Sequence, residues 1–577
     1  MTFRLAAGLA LCLIVAFGAS DAGAAAPAPA SAAHGMVATA EEHATRAGVE
    51  MLASGGNAID AAVAAAFVLG VTEPYHSGIG GGGFVLIHLA NGQDIALDAR
   101  ETAPAAATRD MFVQKGVPQD ASRLGPLAIA TPGLVAGLTE ALARWGTKSL
   151  PDAMAPAIRL ATEGFAISPR HARILESVRA TGFAQRFPET ARIQLPPPDR
   201  PITPGWRLVQ AELADSLKTI AREGPDAFYR GTIAKGIAAE MERRGGILTA
   251  HDLDVYRTKL REPVRGSYRG LEVVSFPPPS SGGIALIETL NVLEGFDIAA
   301  RGAGSSSSIH VIAEAMKLAF ADRATWLGDS DFVNVPARGL VSKDYAATLR
   351  ARINPPWWRR APWHWLSGER AIHVTGPGEP PRDAGTTHIS VTDSFGNAVS
   401  LTQTINLIFG SGITVAHTGI ILNDEMDDFS IAPDVPNAFG LVDVRGANAV
   451  APDKRPLSSM TPTIVLRGGT PYLVSGSPGG PRIISTTLLT ILNIVDYGMN
   501  PEEAVSAPRF HHQWVPDTLT VERAVPRDVI EGLERRGHTV EVSPRDWSSA
   551  QTIVIDPATG LHLGGSDPRS DGLALGD

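Results

Sequence analysis

Between residues 40 and 70 apolar positions recur three and four apart in "AEEHATRAGVEMLA", stop at Gly55-Gly56-Asn57, and resume in the nearly all-apolar "AIDAAVAAAFVLG". That pattern predicts a helix, a break and a second, buried helix with Asp60 early in it. Helical periods also cover 133–145, 152–164, 306–327 and 484–497, and the glycine cluster of "SGIGGGGFVLIHL" runs into a strand. After residue 384 strand signals dominate, with expected strands over 387–393, 397–406, 463–467 and 472–475. Proline-rich "RIQLPPPDRPITPGW" and "FPPPSSGGIA" read as ordered loops, "NPPWWRRAPWHWLSGER" at 354–370 has no clear period, and no segment repeats. The chain changes character at one hairpin.

That hairpin, "AGTTHISVTDSFGNAVSLTQTIN" (384–406), alternates with a period of two. Thr386, His388, Ser390 and Thr392 share one face, and Ile389 and Val391 the other. After the Gly396-Asn397 turn, Ser400, Thr402, Thr404 and Asn406 lie opposite Leu401 and Ile405. Two readings fit a face of hydroxyls: a sandwich edge turned to water, or a functional surface that begins at a chain terminus. A terminal Thr386 would carry a hydroxyl nucleophile and, beside it, an α-amine of pKa roughly 7.7–8.0 able to serve as its base.

Composition narrows the options. The 577 residues are 44% hydrophobic and 19% charged, with net charge −10 and no lysine/arginine run that would track a phosphate backbone, so no nucleic-acid partner is expected. Residues 1–24 read as a signal peptide: Arg4, an apolar core from Leu5 to Phe17, and small residues up to Ala24. The apolar core is shorter than the roughly 20 residues of a spanning helix, so no stable membrane anchor is expected and the mature chain is placed in the periplasm or outside the cell. The single cysteine, Cys12, falls in that leader; a mature chain without thiols excludes cysteine catalysis, disulfides and thiolate-held zinc.

Other motifs carry less. "GIGGGGF" precedes its strand where a dinucleotide fingerprint follows one, and no Gly-Lys-Ser/Thr ends it, so close backbone packing is the better reading. "GDS" at 328–330 has little weight as an esterase signature. No two histidines have metal spacing on a helix, and "FHHQW" (510–514) sends neighbouring side chains to opposite faces. No metal and no cofactor are expected.

Seven stretches in order, "SGGNAIDAAVAA", "DARETAP", "GTTHISVTD", "LNDEMDDFS", "PDKRPLSSM", "SGSPGG" and "GSDPRS", resemble the γ-glutamyltransferases, which are N-terminal-nucleophile hydrolases. The resemblance runs from about residue 35 to the C-terminus. It implies an α/β fold of the four-layer αββα sandwich type and autocleavage between Gly385 and Thr386. The products would be a large subunit, 25–385, and a small catalytic subunit, 386–577, held as a heterodimer. It implies Thr386 as nucleophile, Thr404 as the hydroxyl bonded to it, and the N–H groups of Gly479 and Gly480 as the oxyanion hole. Arg100, Ser458 and Ser459 would bind the α-carboxylate of a γ-glutamyl group, and Asn406, Glu425 and Asp428 its α-ammonium.

The implied activity is cleavage of glutathione and related γ-glutamyl amides through a threonine ester, with transfer to water, an amino acid or a peptide. Two alternatives stay open: a glutaryl-cephalosporin acylase of the same fold, and a secreted, uncleaved γ-glutamyl-peptide-binding protein. In "VPNAFGLVDVRGANAV" (435–450), which resembles a lid loop, Phe439 stands where some members have a tyrosine that bonds the ammonium-binding asparagine.

Overall fold

The computed structural model describes residues 28–353, 369–377, 385–432 and 435–577. The expected signal peptide and most of the tryptophan-rich stretch lie outside the described residues.

The two expected N-terminal helices form at Glu42–Ala53 and Ala58–Thr72. Asn57 caps the second, accepting from the Ile59 and Asp60 N–H groups, while Asp60 returns a bond to the Asn57 N–H. Every residue of that second helix is buried, which explains its lack of a polar face. The later helical periods correspond to Leu134–Trp145, Leu150–Glu163, Ser306–Trp326 and Arg482–Val495. Two loop expectations need correction. "FPPPSSGGIA" turns into a buried helix at Gly282–Leu293, and the first proline-rich stretch opens within a short helix, Pro188–Gln194.

Two seven-stranded sheets form the middle layers. One runs in the order Leu573–Gly576, Met36–Thr39, Gly385–Thr392, Ala398–Asn406, Gly82–His88, Asp94–Ala99, Lys259–Arg261. The other runs Ala30–Ala32, His562–Ser566, Gln551–Ile555, Thr470–Gly476, Thr463–Arg467, Leu271–Ser275, Val264–Tyr268. The helices at 42–72 and 134–163 share an apolar core with the outer face of the first sheet, and Gly282–Leu293, Ser306–Trp326 and Arg482–Val495 cover the second. Phe84, Leu86, Val274, Phe276, Ile464 and Val474 pack between the sheets. The protein is a four-layer αββα sandwich.

The hairpin strands are third and fourth of seven, at the centre of their sheet. The sandwich-edge reading of the polar face is therefore wrong: its hydroxyls bridge the two sheets. Ser390 Oγ donates to Gln551 O at 2.9 Å and Ser400 Oγ to Ser475 O at 3.0 Å, while His388 Nδ1 lies 2.8 Å from Thr402 Oγ1. Burial pushes His388 down to about 3, so this imidazole is a neutral member of the network.

Candidate active site

The register of the hairpin slips at Thr386: Gly385 stands opposite Asn406, yet Thr387 stands opposite Gln403. The second strand thus spends an extra residue across from Thr386, and its chain turns at Asn406, whose φ is +78°. Such a bulge re-aims a side chain, here Thr404. Its Oγ1 lies 3.1 Å from Thr386 Oγ1, and both hydroxyls donate to the Gly385 carbonyl at 2.6 Å. The Asn406 N–H donates to Thr404 Oγ1 at 2.8 Å. Thr387 points to the other side of the strand, where its buried hydroxyl faces the Glu73 carboxylate and helps His76 to favour its ionised form.

The glycine cluster holds this geometry, as the packing reading expected. A Cβ on Gly81 would overlap the Thr404 carbonyl, and one on Gly82 the Glu101 carboxylate.

From the bulge a short path leads to the charged pocket. Asn406 Nδ2 donates to Asp424 O at 3.0 Å, and the next turn, Glu425–Asp428, carries the acids. Arg100, at the end of strand Asp94–Ala99, is fully buried; its guanidinium donates through Nη1 to Glu425 and through Nη2 to Asp428, and Nε reaches Pro456 O at 3.1 Å. Arg100, expected to take a carboxylate, and Glu425 and Asp428, expected to take an ammonium, thus pair directly with one another. Ser458 and Ser459 follow on the same Pro456 segment and both are buried. Ser458 is fixed by its neighbours: its O accepts from the Ser281 hydroxyl at 2.7 Å and its N–H donates to Pro279 O at 2.8 Å.

Glu101 is the residue that sequence reading passed over, although it stands inside "DARETAP". It is fully buried, 3.7 Å from the Arg100 guanidinium and beside the Glu425 carboxyl. Three carboxylates around one guanidinium cannot all stay ionised cheaply. Burial raises Glu101 to about 7, more than Arg100 lowers it, and burial raises Glu425 and Asp428 as well.

A pH effect follows. In the folded protein Glu101 keeps a proton that an unfolded chain, with its ordinary carboxylate near 4.5, has already released. Folded-state proton uptake then exceeds unfolded-state uptake between those values, so stability falls as pH rises through that window, by on the order of 2–3 kcal/mol. Glu101→Gln is expected to flatten the decline, as read by denaturant unfolding at pH 5 and pH 7.5. An unchanged slope would show that another group carries it.

Gly479 and Gly480, expected as the oxyanion hole, stand at the entrance to helix Arg482–Val495, with φ of +128° and +56°. A Cβ on Gly479 would strike Ser548 Oγ, and one on Gly480 would come within 2.8 Å of the Phe439 ring. Only glycine fits either place, and their N–H groups lie at a helix N-terminus, where negative charge is favoured. Phe439 is buried over this turn, so the loop at 435–450 is closed in the structure.

Outside the site, His310, Glu314 and His538 converge, a grouping that helical spacing could not reveal because His538 comes from a distant segment. The Lys317 ammonium is 3.0 Å from Glu314 and supplies the positive charge there. Among the described residues no helix is long and apolar enough to cross a membrane.

The chain is similar to several known proteins. A family model described as gamma-glutamyltranspeptidase matches residues 44–576. A glutathione hydrolase proenzyme of Escherichia coli (strain K12) is 46% identical over 553 residues, covering 95% of this chain and 93% of the relative. An acylase ACY 1 proenzyme of Pseudomonas sp. (strain SE83) is 40% identical over 556 residues, covering 95% and 94%. The solved cephalosporin acylase of Bacillus halodurans superposes with a TM-score of 0.81 at 30% identity, covering 96% of this chain and 97% of that one.

Proposed function

Because the chain belongs to the gamma-glutamyltranspeptidase family, we propose that it is an autoprocessed enzyme that hydrolyses the γ-glutamyl bond of glutathione and related amides and passes the γ-glutamyl group to water, an amino acid or a peptide. The observation that carries this reading is the meeting of Thr386 Oγ1, Thr404 Oγ1 and the Gly385 carbonyl at 2.6–3.1 Å, one short turn from a buried guanidinium with paired carboxylates.

Maturation uses the first part of that arrangement. Thr386 Oγ attacks the Gly385 carbonyl carbon while the Thr404 hydroxyl, already donating to that carbonyl oxygen, stabilises the charge it gains. The Gly385–Thr386 C–N bond breaks, the nitrogen takes the proton lost by Oγ, and the resulting ester is hydrolysed by water. The products are a new carboxylate at Gly385 and a free α-amine at Thr386. The large subunit would end at Gly385 and the small one begin at Thr386, the leader 1–24 having been removed on export to the periplasm or the medium. The subunits stay together as a heterodimer because each seven-stranded sheet takes strands from both.

Turnover uses the rest. A γ-glutamyl group is a zwitterion at its α-carbon, and the pocket offers charges of both signs side by side: Arg100 against Glu425 and Asp428. The substrate inserts into that pair, its carboxylate taking Arg100 with Ser458 and Ser459, its ammonium taking Asn406, Glu425 and Asp428. The zwitterion brings an anion for Arg100 and a cation for the acids, which keeps the desolvation cost low. Thr386 Oγ, oriented by Thr404 and deprotonated by its own α-amine, attacks the γ-carbonyl. The Gly479 and Gly480 N–H groups receive the oxyanion, each such donor supplying on the order of 3 kcal/mol. The amine leaves with a proton, and water or an acceptor amine releases the γ-glutamyl ester.

The acylase reading keeps a specific support, the similarity to the Pseudomonas and Bacillus halodurans acylases. Terminal sequencing of the purified protein tests the shared premise: a second chain starting Thr-Thr-His is expected, and an active protein that remains one chain would overturn both enzyme mechanisms.

A further inference from the structure

The motif "FHHQW" had no role in the sequence reading, yet the structure sends one of its side chains to the loop that covers the oxyanion turn. Gln513 is buried just beyond strand Phe510–His511, and its amide nitrogen donates to Phe439 O at 3.2 Å and to Gly440 O at 3.3 Å. Two carbonyls can only accept, so the nitrogen must face them and the amide oxygen must face away. It meets His511 Nε2 at 3.0 Å, and His511 Nδ1 lies 2.9 Å from Ser485 Oγ on the helix that follows the oxyanion glycines. Burial and the Arg482 guanidinium push His511 down to about 3, so the ring is neutral and its one proton sits on Nε2. The amide is therefore held in one orientation, with its donors toward the loop.

The loop is shaped to receive them. Asn437 Oδ1 accepts the Phe439 and Leu441 N–H groups at 3.1 Å each, making a tight turn that turns the Phe439 and Gly440 carbonyls outward. On the other side the Ala438 N–H donates to Asp427 Oδ2 at 2.9 Å. The Phe439 ring itself contributes only packing on Gly480, so polar fastening of this turn comes through its backbone.

We propose that Gln513 is the latch of this loop: a positioning residue that keeps Phe439 seated over Gly479-Gly480 and thereby sets how the acyl-enzyme divides between water and an acceptor amine. The inference rests on the γ-glutamyl-transfer reading for its kinetic consequence, while the latch itself can be measured without turnover. A seated ring excludes bulk water from the ester and leaves the site dry. An unseated one admits water, and hydrolysis gains at the expense of transfer.

The test uses the processed two-chain enzyme and two near-isosteric variants, Gln513→Met, which removes the donors, and Gln513→Glu, which sets oxygens against the two carbonyls. Amide hydrogen exchange at residues 438–441 should quicken in the order Gln, Met, Glu. Gln513→Met should gain about tenfold, the factor for ~1.4 kcal/mol of lost hydrogen bonding. With γ-glutamyl anilide and glycylglycine, the hydrolysed share of product should rise at least about threefold in Gln513→Glu, with KM for the anilide changed much less. Exchange at 438–441 that matches the parent in both variants would overturn the latch. Faster exchange with an unchanged product ratio would overturn its control of partition. If neither parent nor variant turns over γ-glutamyl substrate, the functional reading fails instead, and the exchange order still decides the latch. Should Gln513→Glu not process, Gln513→Met carries the same comparisons.

Discussion

Thr386→Ala is expected to accumulate as one unbroken 60.6 kDa chain, less any leader, whereas the parent separates into pieces of about two thirds and one third of that mass. Its γ-glutamyl hydrolase activity should fall by at least about 10⁴-fold, the scale on which removal of an acyl-transfer nucleophile acts. Two losses combine: no hydroxyl remains to attack the Gly385 carbonyl, and without cleavage no α-amine is released to serve as base. Thr387→Ala is the control. Its side chain lies on the opposite side of the strand from Thr404, so cleavage should proceed at least in part. Denaturing gels and anilide hydrolysis read both variants, and the reverse pattern would assign the nucleophile to Thr387.

The second large effect separates γ-glutamyl from glutaryl substrates, which share the scissile bond and the distal carboxylate and differ in the α-ammonium. In the parent a glutaryl group draws Arg100 from Glu425 and Asp428 and brings no cation for them, leaving desolvated carboxylates unpaired. It should be disfavoured by about 2 kcal/mol or more, some thirtyfold in kcat/KM. Asp428→Asn removes one of those charges, so the γ-glutamyl rate should drop steeply while the glutaryl rate holds or improves.

Arg100→Ala should depress both substrates together, by about 10²-fold or more. It should also destabilise the protein by about 3–5 kcal/mol, because Glu101, Glu425 and Asp428 would face one another in the interior with only the more distant Arg323 charge acting on Asp428. Anilide kinetics on the two substrates and denaturant unfolding measure all three. A parent that prefers the glutaryl anilide, with Asp428→Asn indifferent to both, would select the acylase reading.

The proposed site residues could be picked out along the chain through short stretches that resemble the family's, because each stretch is local. Thr386, Thr404 and Asn406 share one hairpin, Gly479 and Gly480 one turn, Glu425 and Asp428 one further turn, and each pattern survives without knowledge of its neighbours. Glu101 escaped although it adjoins Arg100, because a carboxylate next to an arginine reads as a surface pair until its burial is known. Gln513 escaped for a related reason: an amide in a loop has no meaning until the two carbonyls it meets, more than seventy residues earlier in the chain, are in place.

By itself the sequence determined what depends on period and on backbone freedom. The buried helix Ala58–Thr72, the alternating hairpin, and the glycines that pack where no Cβ fits all follow from residue type at fixed spacing. The tertiary structure decided everything that depends on what covers a surface. It placed the hydroxyl face between two sheets rather than in water, and it slipped the register so that Thr404 meets Thr386. It also closed Arg100 onto the two acids expected to take a substrate ammonium. It wove the segments before and after Gly385 into the same two sheets, so the change in character seen at the hairpin is no boundary in space. The physical reason is that a strand's alternation specifies two faces without specifying their partners, and partners set dielectric, pairing and hence chemistry.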